Sequence, residues 1–169
     1  MTYRIYSDGS TRGNGKENAV GGWAYVIVNE NNEVVYSKWG AEVGTTNQRM
    51  ELTAAIQGLE LALAAFVAPG NRIQLYTDSA YLHNCYAQKW YVNWEKNGWK
   101  NAKKQPVANE DLWEKLIPYF DAWGFDFFKV KGHTAGVSDH EKWNNYVDNL
   151  AQSAAEKKKA EVENGNSNN

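Results

Sequence analysis

The chain has almost no cysteine and no long apolar run, and its charges nearly cancel. A single cysteine, Cys85, among 169 residues excludes an internal disulfide and leaves no cysteine-based metal site. No apolar stretch reaches the roughly 18 residues of a transmembrane helix, and the N-terminus lacks the basic-then-apolar pattern of a signal peptide. With 43% hydrophobic residues, the chain is expected to fold as a soluble, cytoplasmic protein that does not bind membranes.

Charge is distributed unevenly along this chain. The formal net charge of −2 argues weakly against a nucleic-acid-binding protein. Residues 88–105, however, contain a single acid, Glu95, three of the eight tryptophans and five lysines. Because a ligand interacts with the charge near its binding site rather than with the net charge, this segment remains a candidate nucleic-acid-binding surface. The lysines are Lys89, Lys96, Lys100, Lys103 and Lys104.

The first part of the chain has the pattern of a β-meander. Residues 3–7 alternate apolar and polar side chains, as a half-buried strand does. Two β-rich runs, 23–28 and 34–39, flank the turn-forming residues 29–32 and predict a hairpin. Residues 12–22 contain four glycines and predict a loop.

The remainder alternates helices with strands. An apolar stripe at helical spacing, ended by Pro69-Gly70, is followed by a strand at 73–77, and this long crossover implies parallel pairing. Further predicted elements are a helix at 79–89, a helix at 109–123, a strand at 125–130 and a helix opening at Ser138. We therefore predict an α/β three-layer fold, with a five-stranded mixed sheet (three antiparallel strands, then two parallel ones) and helices on both faces.

Two strands end in the same acid. YRIYSDGS delivers Asp8 and QLYTDSA delivers Asp78, where the carboxyl ends of neighbouring strands form a ligand-binding edge. Glu51, near the start of the first helix, and Asp148, on the last, can reach that edge. Four converging carboxylates without cations suit Mg²⁺ or Mn²⁺. Taken singly, each acid also has a structural interpretation, as a turn former, a first-turn residue or part of a solvated helix face.

Seven motifs occur in an order and spacing that resemble a type 1 ribonuclease H over roughly Tyr3 to Ala154. They are IYSDGS, TTNQRMEL, LYTDS, NWEKNGWK, PVANEDLW, VKGH and NNYVDNLA. The resemblance implies a ribonuclease H-like fold and hydrolysis of the RNA strand of RNA–DNA hybrids by two Mg²⁺ ions, with Mn²⁺ as a substitute. It further implies an endonuclease without base specificity that leaves 5′-phosphate and 3′-hydroxyl ends. By position, the catalytic and metal-binding acids are Asp8, Glu51, Asp78 and Asp148.

The resemblance also assigns a catalytic histidine, His133 of the VKGH motif, to proton transfer or product release. An imidazole has a pKa near the working pH and suits either role. Here His133 precedes Asp148 by 148 − 133 = 15 positions, a longer loop than in familiar members. Asp139 and Glu141 lie closer to His133 and are rivals for the fourth acid.

Substrate contacts follow from the same resemblance. In the family, amide side chains meet RNA 2′-hydroxyls, a small polar pocket holds a DNA phosphate, and a handle of aromatics and lysines binds the DNA strand. The matching positions here are Asn14, Asn47 and Gln48 for the minor groove, Thr46 and Asn109 for the phosphate pocket, and Trp90, Trp94, Lys96 and Lys100 for the handle.

The chain is expected to be a monomer with one catalytic domain, residues 1–155, and a polar tail, 156–169, that is frayed or disordered. Two other functions stay open at this point. One is a hybrid- or double-stranded-RNA-binding module with weak or no catalysis. The other is a different nuclease or strand transferase of the same fold. Cleavage tests on hybrid, double-stranded RNA and double-stranded DNA would distinguish these functions.

Overall fold

The computed structural model describes residues 1–13, 16–132 and 138–167. In chain order the elements are β1 (Thr2–Arg12), β2 (Val20–Val28), β3 (Val34–Val43), α1 (Asn47–Phe66), β4 (Arg72–Thr77), α2 (Ala80–Ala87), α3 (Trp90–Lys96), α4 (Glu110–Leu116), a 3₁₀ segment (Ile117–Asp121), β5 (Phe125–Lys129) and α5 (Asp139–Ser167). Among the described residues, no helix combines the length and apolar character needed to cross a membrane.

The five strands form one mixed sheet in the order β3-β2-β1-β4-β5. β1 pairs antiparallel with β2, and β2 with β3, whereas β1–β4 and β4–β5 are parallel. The predicted fold class is therefore confirmed, including the three antiparallel strands followed by two parallel ones.

Each face of the sheet is covered by helices. Because side chains alternate along a strand, Ile5 and Leu75 pack in the cluster that includes α1, while Tyr6 and Tyr76 pack in the cluster that includes α5. β2, the neighbour of β1, is buried along its whole length. β1, which carries Asp8, therefore lies between two hydrophobic layers in the middle of the sheet.

Small residues allow both long helices to lie close to the sheet. A Cβ added at Gly58 of α1 would lie 2.8 Å from Cγ2 of Ile5, and one added at Gly22 of β2 would lie 2.1 Å from the carbonyl oxygen of Ala151 in α5. The backbone of α5 thus rests directly on β2. This contact fixes α5, and with it Asp148, against the middle of the sheet.

Two predicted boundaries differ from the structure. Strand pairing continues into the predicted loop 12–22, because β1 extends to Arg12, which pairs with Val20. The predicted helix 109–123 is α-helical only to Leu116 and continues as the 3₁₀ segment. Pro118 lies in that segment and has no backbone N–H to continue the α-helical hydrogen bonds.

The tail expected to be frayed is helical as far as Ser167. Its alanines, lysines and glutamates favour a helix. Lys158 and Glu161 approach to 4.0 Å, and Lys159 and Glu163 to 3.9 Å, at spacings that support a helix. Glu156 also binds Arg12 of β1 at 2.9 Å. The domain boundary at residue 155 remains a prediction.

Candidate metal centre and active site

The strand register places Asp8 and Asp78 side by side. Parallel pairing of β1 with β4 ends with Ser7 opposite Thr77, so Asp8 and Asp78 are the next residues on each strand. β1 continues to Arg12 beside β2, whereas β4 ends at Thr77. The edge predicted to bind a ligand is therefore formed where β4 stops and β1 goes on.

Glu51 reaches this edge because α1 lies against the strand beside Gly9. A Cβ added at Gly9 would lie 2.5 Å from the backbone nitrogen of Glu51, so only glycine permits this approach. Thr46 caps α1 by accepting a hydrogen bond from the backbone N–H of Arg49 at 3.2 Å. The start of α1, and with it Glu51, is thereby fixed over the end of β1.

The three side chains bring their oxygens together. One carboxylate oxygen from each of Asp8, Glu51 and Asp78 lies within 4.8 Å of the other two. Asp8 is 2% exposed; its Oδ1 accepts the Gly9 N–H at 2.9 Å, and its Oδ2 is buried without a hydrogen-bond partner. Oε2 of Glu51 is also buried and without a partner. Two enclosed, unsatisfied carboxylate oxygens facing a third acid fit a divalent cation.

Burial, together with neighbouring negative charge, raises the pKa of two acids of this cluster, Asp8 and Glu51. Burial, followed by the charges of Glu51 and Asp78, raises the pKa of Asp8 far above its usual range. Burial is also the main cause that raises the pKa of Glu51. None of the ion pairs in the described part of the chain involves these acids. The metal-free site therefore retains protons that a bound cation would displace.

Asp148 approaches the cluster from α5. Asp148 is among the groups that raise the pKa of Asp8, and its charge contributes to the raised pKa of Glu51. Gln152, one turn later, donates to Oδ2 of Asp148 at 2.9 Å. Asp139, the rival of Asp148 for the role of fourth acid, is exposed at the start of α5. Its charge acts on the pKa of His140. This placement favours Asp148 over Asp139 as the fourth acid.

Asn144 holds Asp78 by a hydrogen bond, and Gly132 leaves room for its carboxylate. Asn144, 1% exposed, donates from Nδ2 to Oδ2 of Asp78 at 3.2 Å. A Cβ added at Gly132 would lie 2.8 Å from the same oxygen. The sequence reveals Asn144 and Gly132 only as parts of motifs, because the contact depends on how α5 and the end of β5 meet β4.

Arg49 links the candidate substrate-binding residues at the start of α1 with the one at the start of α4. This arginine donates from Nη1 to Oδ1 of Asn109 at 3.3 Å, and both its Nη atoms bind Asp111, at 3.0 and 2.9 Å. Thr46, half-buried, precedes it on the cap, while Asn47 and Gln48 are exposed. Arg49 itself was not singled out from sequence, although its position three residues after a cap was a usable signal.

The aromatic part of the handle is anchored in the core. Trp90 and Trp94 of α3 have ring centroids 6.2 Å apart, and Trp94 lies 5.6 Å from the fully buried Trp113 of α4. Lys96 and Lys100 are exposed. The structure thus places a rigid aromatic base beside exposed cations, and it keeps Trp94 partly buried rather than free.

Two predicted residues, Asn14 and His133, lie outside the described residues. Glu141, the second rival for the fourth acid, is half-buried in the first turn of α5. Its backbone N–H donates to the hydroxyl of Ser138 at 3.2 Å, in agreement with the prediction that a helix begins at Ser138.

Comparison with known proteins gives a consistent family. The RNase H family model matches residues 1–156. A ribonuclease H of Syntrophomonas wolfei is 43% identical over 150 residues, which make up 89% of this chain and 93% of that protein. The solved structure of LC9-RNase H1, a type 1 RNase H with the type 2 active-site motif, gives a TM-score of 0.71 at 27% identity and covers 91% of this chain and 72% of that one. LC11-RNase H1, solved with an RNA/DNA hybrid, gives a TM-score of 0.63 at 20% identity and covers 92% and 97%. The chain belongs to the ribonuclease H family.

Proposed function

We propose that this protein is an endonuclease that hydrolyses the RNA strand of RNA–DNA hybrids with two divalent cations, Mg²⁺ or, as a substitute, Mn²⁺. One observation carries the proposal: Asp8, Glu51 and Asp78 bring carboxylate oxygens within 4.8 Å of one another, and one oxygen each of Asp8 and Glu51 is buried and unsatisfied. Membership in the ribonuclease H family makes the protein a hydrolase that acts on nucleic acid. All of the proposed acids come from one chain, so the proposal needs only a monomer.

The proposed ligands are Asp8, Glu51, Asp78 and Asp148. When bound, a pair of divalent cations activates water on one side of a phosphodiester and stabilises the leaving oxygen on the other. Asp8, which interacts with Glu51, Asp78 and Asp148, would hold the cations together with those acids, and Asn144 would keep Asp78 in place to bind. The acids must give up their protons on binding, so the raised pKa of Asp8 makes binding weaker at low pH.

The protein is proposed to position the cations and the substrate without forming a covalent intermediate. Carboxylates hold cations and do not themselves attack the phosphorus, so water is the nucleophile. The proposed hydrolysis breaks the bond between the phosphorus and the 3′-oxygen, which leaves a 5′-phosphate and a 3′-hydroxyl. His133 remains proposed for proton transfer or product release.

Hybrid recognition is proposed to use shape rather than sequence. Asn14, Asn47 and Gln48 are proposed to meet RNA 2′-hydroxyls in the minor groove, where amides can donate and accept. Thr46 and Asn109, joined through Arg49, are proposed to hold a DNA phosphate. The handle residues for the DNA strand are Trp90, Trp94, Lys96 and Lys100. Because these contacts address backbone and sugar, we expect no base specificity.

The test is cleavage of end-labelled duplexes of one sequence, made as RNA–DNA hybrid, double-stranded RNA and double-stranded DNA. We expect cleavage of the RNA strand of the hybrid alone, with Mg²⁺ or Mn²⁺ and not with EDTA. Product ends are identified by phosphatase sensitivity and polymerase extension. Binding of the hybrid without cleavage would instead indicate a binding module, and cleavage of double-stranded DNA would indicate another nuclease of this fold.

A further inference from the structure

A second, cationic cavity lies away from the carboxylate cluster, between the strands β1 and β2 and the last turns of α5. It has a volume of about 350 Å³ and is lined by three cations (Arg12, Lys16 and Lys159), by Val20 and Val162, and by one acid, Glu163. The apolar side chains form part of its wall, and the cations outnumber the acid. Such a cavity suits an anion with an extended backbone.

Three of the eight residues that line this cavity come from a part of the chain that the family match does not include. The match ends at residue 156, whereas α5 continues as a helix to Ser167. Lys159, Val162 and Glu163 therefore belong to the continuation of α5. The ion pair between Arg12 and Glu156, 2.9 Å long, fixes this continuation against the end of β1.

Two of the three cations in the cavity, Lys16 and Lys159, are available to a ligand, whereas Arg12 is paired with Glu156. Lys16 is exposed, and no ion pair in the described ranges includes it. Lys159 approaches Glu163 only to 3.9 Å, and both side chains are more than half exposed. Exposed pairs of this kind contribute about 0–1 kcal/mol. A phosphate can therefore replace Glu163 as the partner of Lys159 at little cost.

The cavity lies at the end of β1, the strand that carries the proposed metal ligand Asp8. Arg12 follows Asp8 by four residues on β1, which at the rise of an extended strand is about 13 Å. One nucleic-acid strand advances about 3.4 Å per nucleotide along the helix axis. A hybrid bound at the carboxylate cluster can thus present a backbone phosphate to the cavity a few nucleotides from the cleaved bond.

We propose that the cavity formed by Arg12, Lys16 and Lys159 binds backbone phosphate of the hybrid, at a second contact beyond the cleavage site and beyond the family's handle. The proposal rests on the proposed function, because it takes the hybrid as the ligand. The continuation of α5 then serves binding and does not enter the chemistry. Substitutions here should change affinity and its salt dependence and leave turnover at saturating hybrid unchanged.

The experiment measures the Kd of a fluorescent RNA–DNA hybrid in EDTA, where no cleavage occurs, between about 50 and 200 mM salt. It compares wild type, the double variant Lys16→Gln/Lys159→Gln, and the control Lys38→Gln/Lys115→Gln, which removes two exposed lysines of β3 and α4. Each lost phosphate contact lowers the slope of log Kd against log salt by roughly 0.7–0.9. We expect the cavity variant to lose between about one and two units of slope, with a Kd about tenfold higher near 0.1 M salt.

A slope and a Kd equal to those of the control variant would overturn the proposal. So would a loss confined to kcat while Kd stays at the wild-type value. If the double variant melts at a lower temperature than wild type, the single Lys16→Gln variant, at an exposed position, gives the same test with half the expected change. Failure of wild type to cleave the hybrid in Mg²⁺ would reject the proposed function, whereas normal cleavage with an unchanged slope would reject only the cavity.

Discussion

At the scale of single residues, the burial of Asp8 that suits a metal ligand also affects the stability of the metal-free protein. Because burial and neighbouring acids raise the pKa of Asp8, the folded protein binds more protons than the unfolded chain above about pH 4. Stability without metal is therefore full below that pH and falls as pH rises. The loss between pH 5 and 8 should be about 4 kcal/mol for one proton that only the folded state retains.

This loss is measured by urea denaturation in EDTA across that pH range. Excess Mg²⁺ at pH 8 should restore about 2–3 kcal/mol, since it binds the folded state alone. Asp8→Asn should flatten the pH profile and remove most of the Mg²⁺ effect, whereas Asp121→Asn, an exposed acid in the 3₁₀ segment, should leave both unchanged. A metal-free wild type whose stability rises toward pH 8 would contradict this account.

Asn144 is a positioning residue in the same account. It is buried, and its amide donates to the carboxylate of Asp78. Loss of such a contact behind a metal ligand typically costs 10–100-fold in metal affinity or activity. Asn144→Ala should therefore raise the Mg²⁺ concentration for half-maximal cleavage by about tenfold or more, while the exposed Asn149→Ala on α5 should not.

The split between metal dependence and maximal rate separates positioning from general damage. If Asn144→Ala lowers activity equally at all Mg²⁺ concentrations and also lowers the melting temperature, its role is structural. Recovery of the rate at high Mg²⁺ is the outcome that a positioning role requires.

At the scale of elements, strand and helix patterns were readable where burial sets the period. The sequences of β1 and β4 alternate, and that of α1 repeats at helical spacing, as these elements pack, so the sequence predicts that Asp8 and Asp78 lie at one edge of the sheet. The limits of elements were less predictable. The glycines of residues 12–22 are typical of a loop, but Gly21 and Gly22 are strand residues that lie against α1 and α5, respectively, where larger side chains have no room.

The close packing of α5 on β2 can be tested directly by substitution. Gly22→Ala places a methyl group 2.1 Å from the carbonyl oxygen of Ala151 and should destabilise the protein by about 1–3 kcal/mol. Gly165→Ala, in α5 with open space around it, is the matched control. It should be neutral or stabilising by up to about 1 kcal/mol. Urea denaturation of both variants decides the point, and equal stabilities would show that α5 does not rest on β2 as described.

At the scale of the whole molecule, the net charge of −2 is the sum of an acidic region and of basic regions that are separate in the fold. The acids gather at one edge of the sheet, while lysines of the handle and of the α5 continuation are exposed around it. The handle segment was predictable because its charges are consecutive in sequence. The second cationic cavity was not, because Arg12 and Lys159 are 147 positions apart (159 − 12) and meet only through the fold.

The central claim is that the carboxylate cluster hydrolyses the RNA strand of a hybrid with divalent metal. The most direct measurement is Mg²⁺-dependent cleavage of a labelled RNA–DNA hybrid by wild type, Asp8→Asn, Asp78→Asn and the exposed control Asp121→Asn, with folding checked by circular dichroism. We predict that both cluster variants stay folded and lose activity by about a thousandfold or more, while the control cleaves like wild type. Turnover near the wild-type rate in pure, folded Asp8→Asn or Asp78→Asn would contradict the claim.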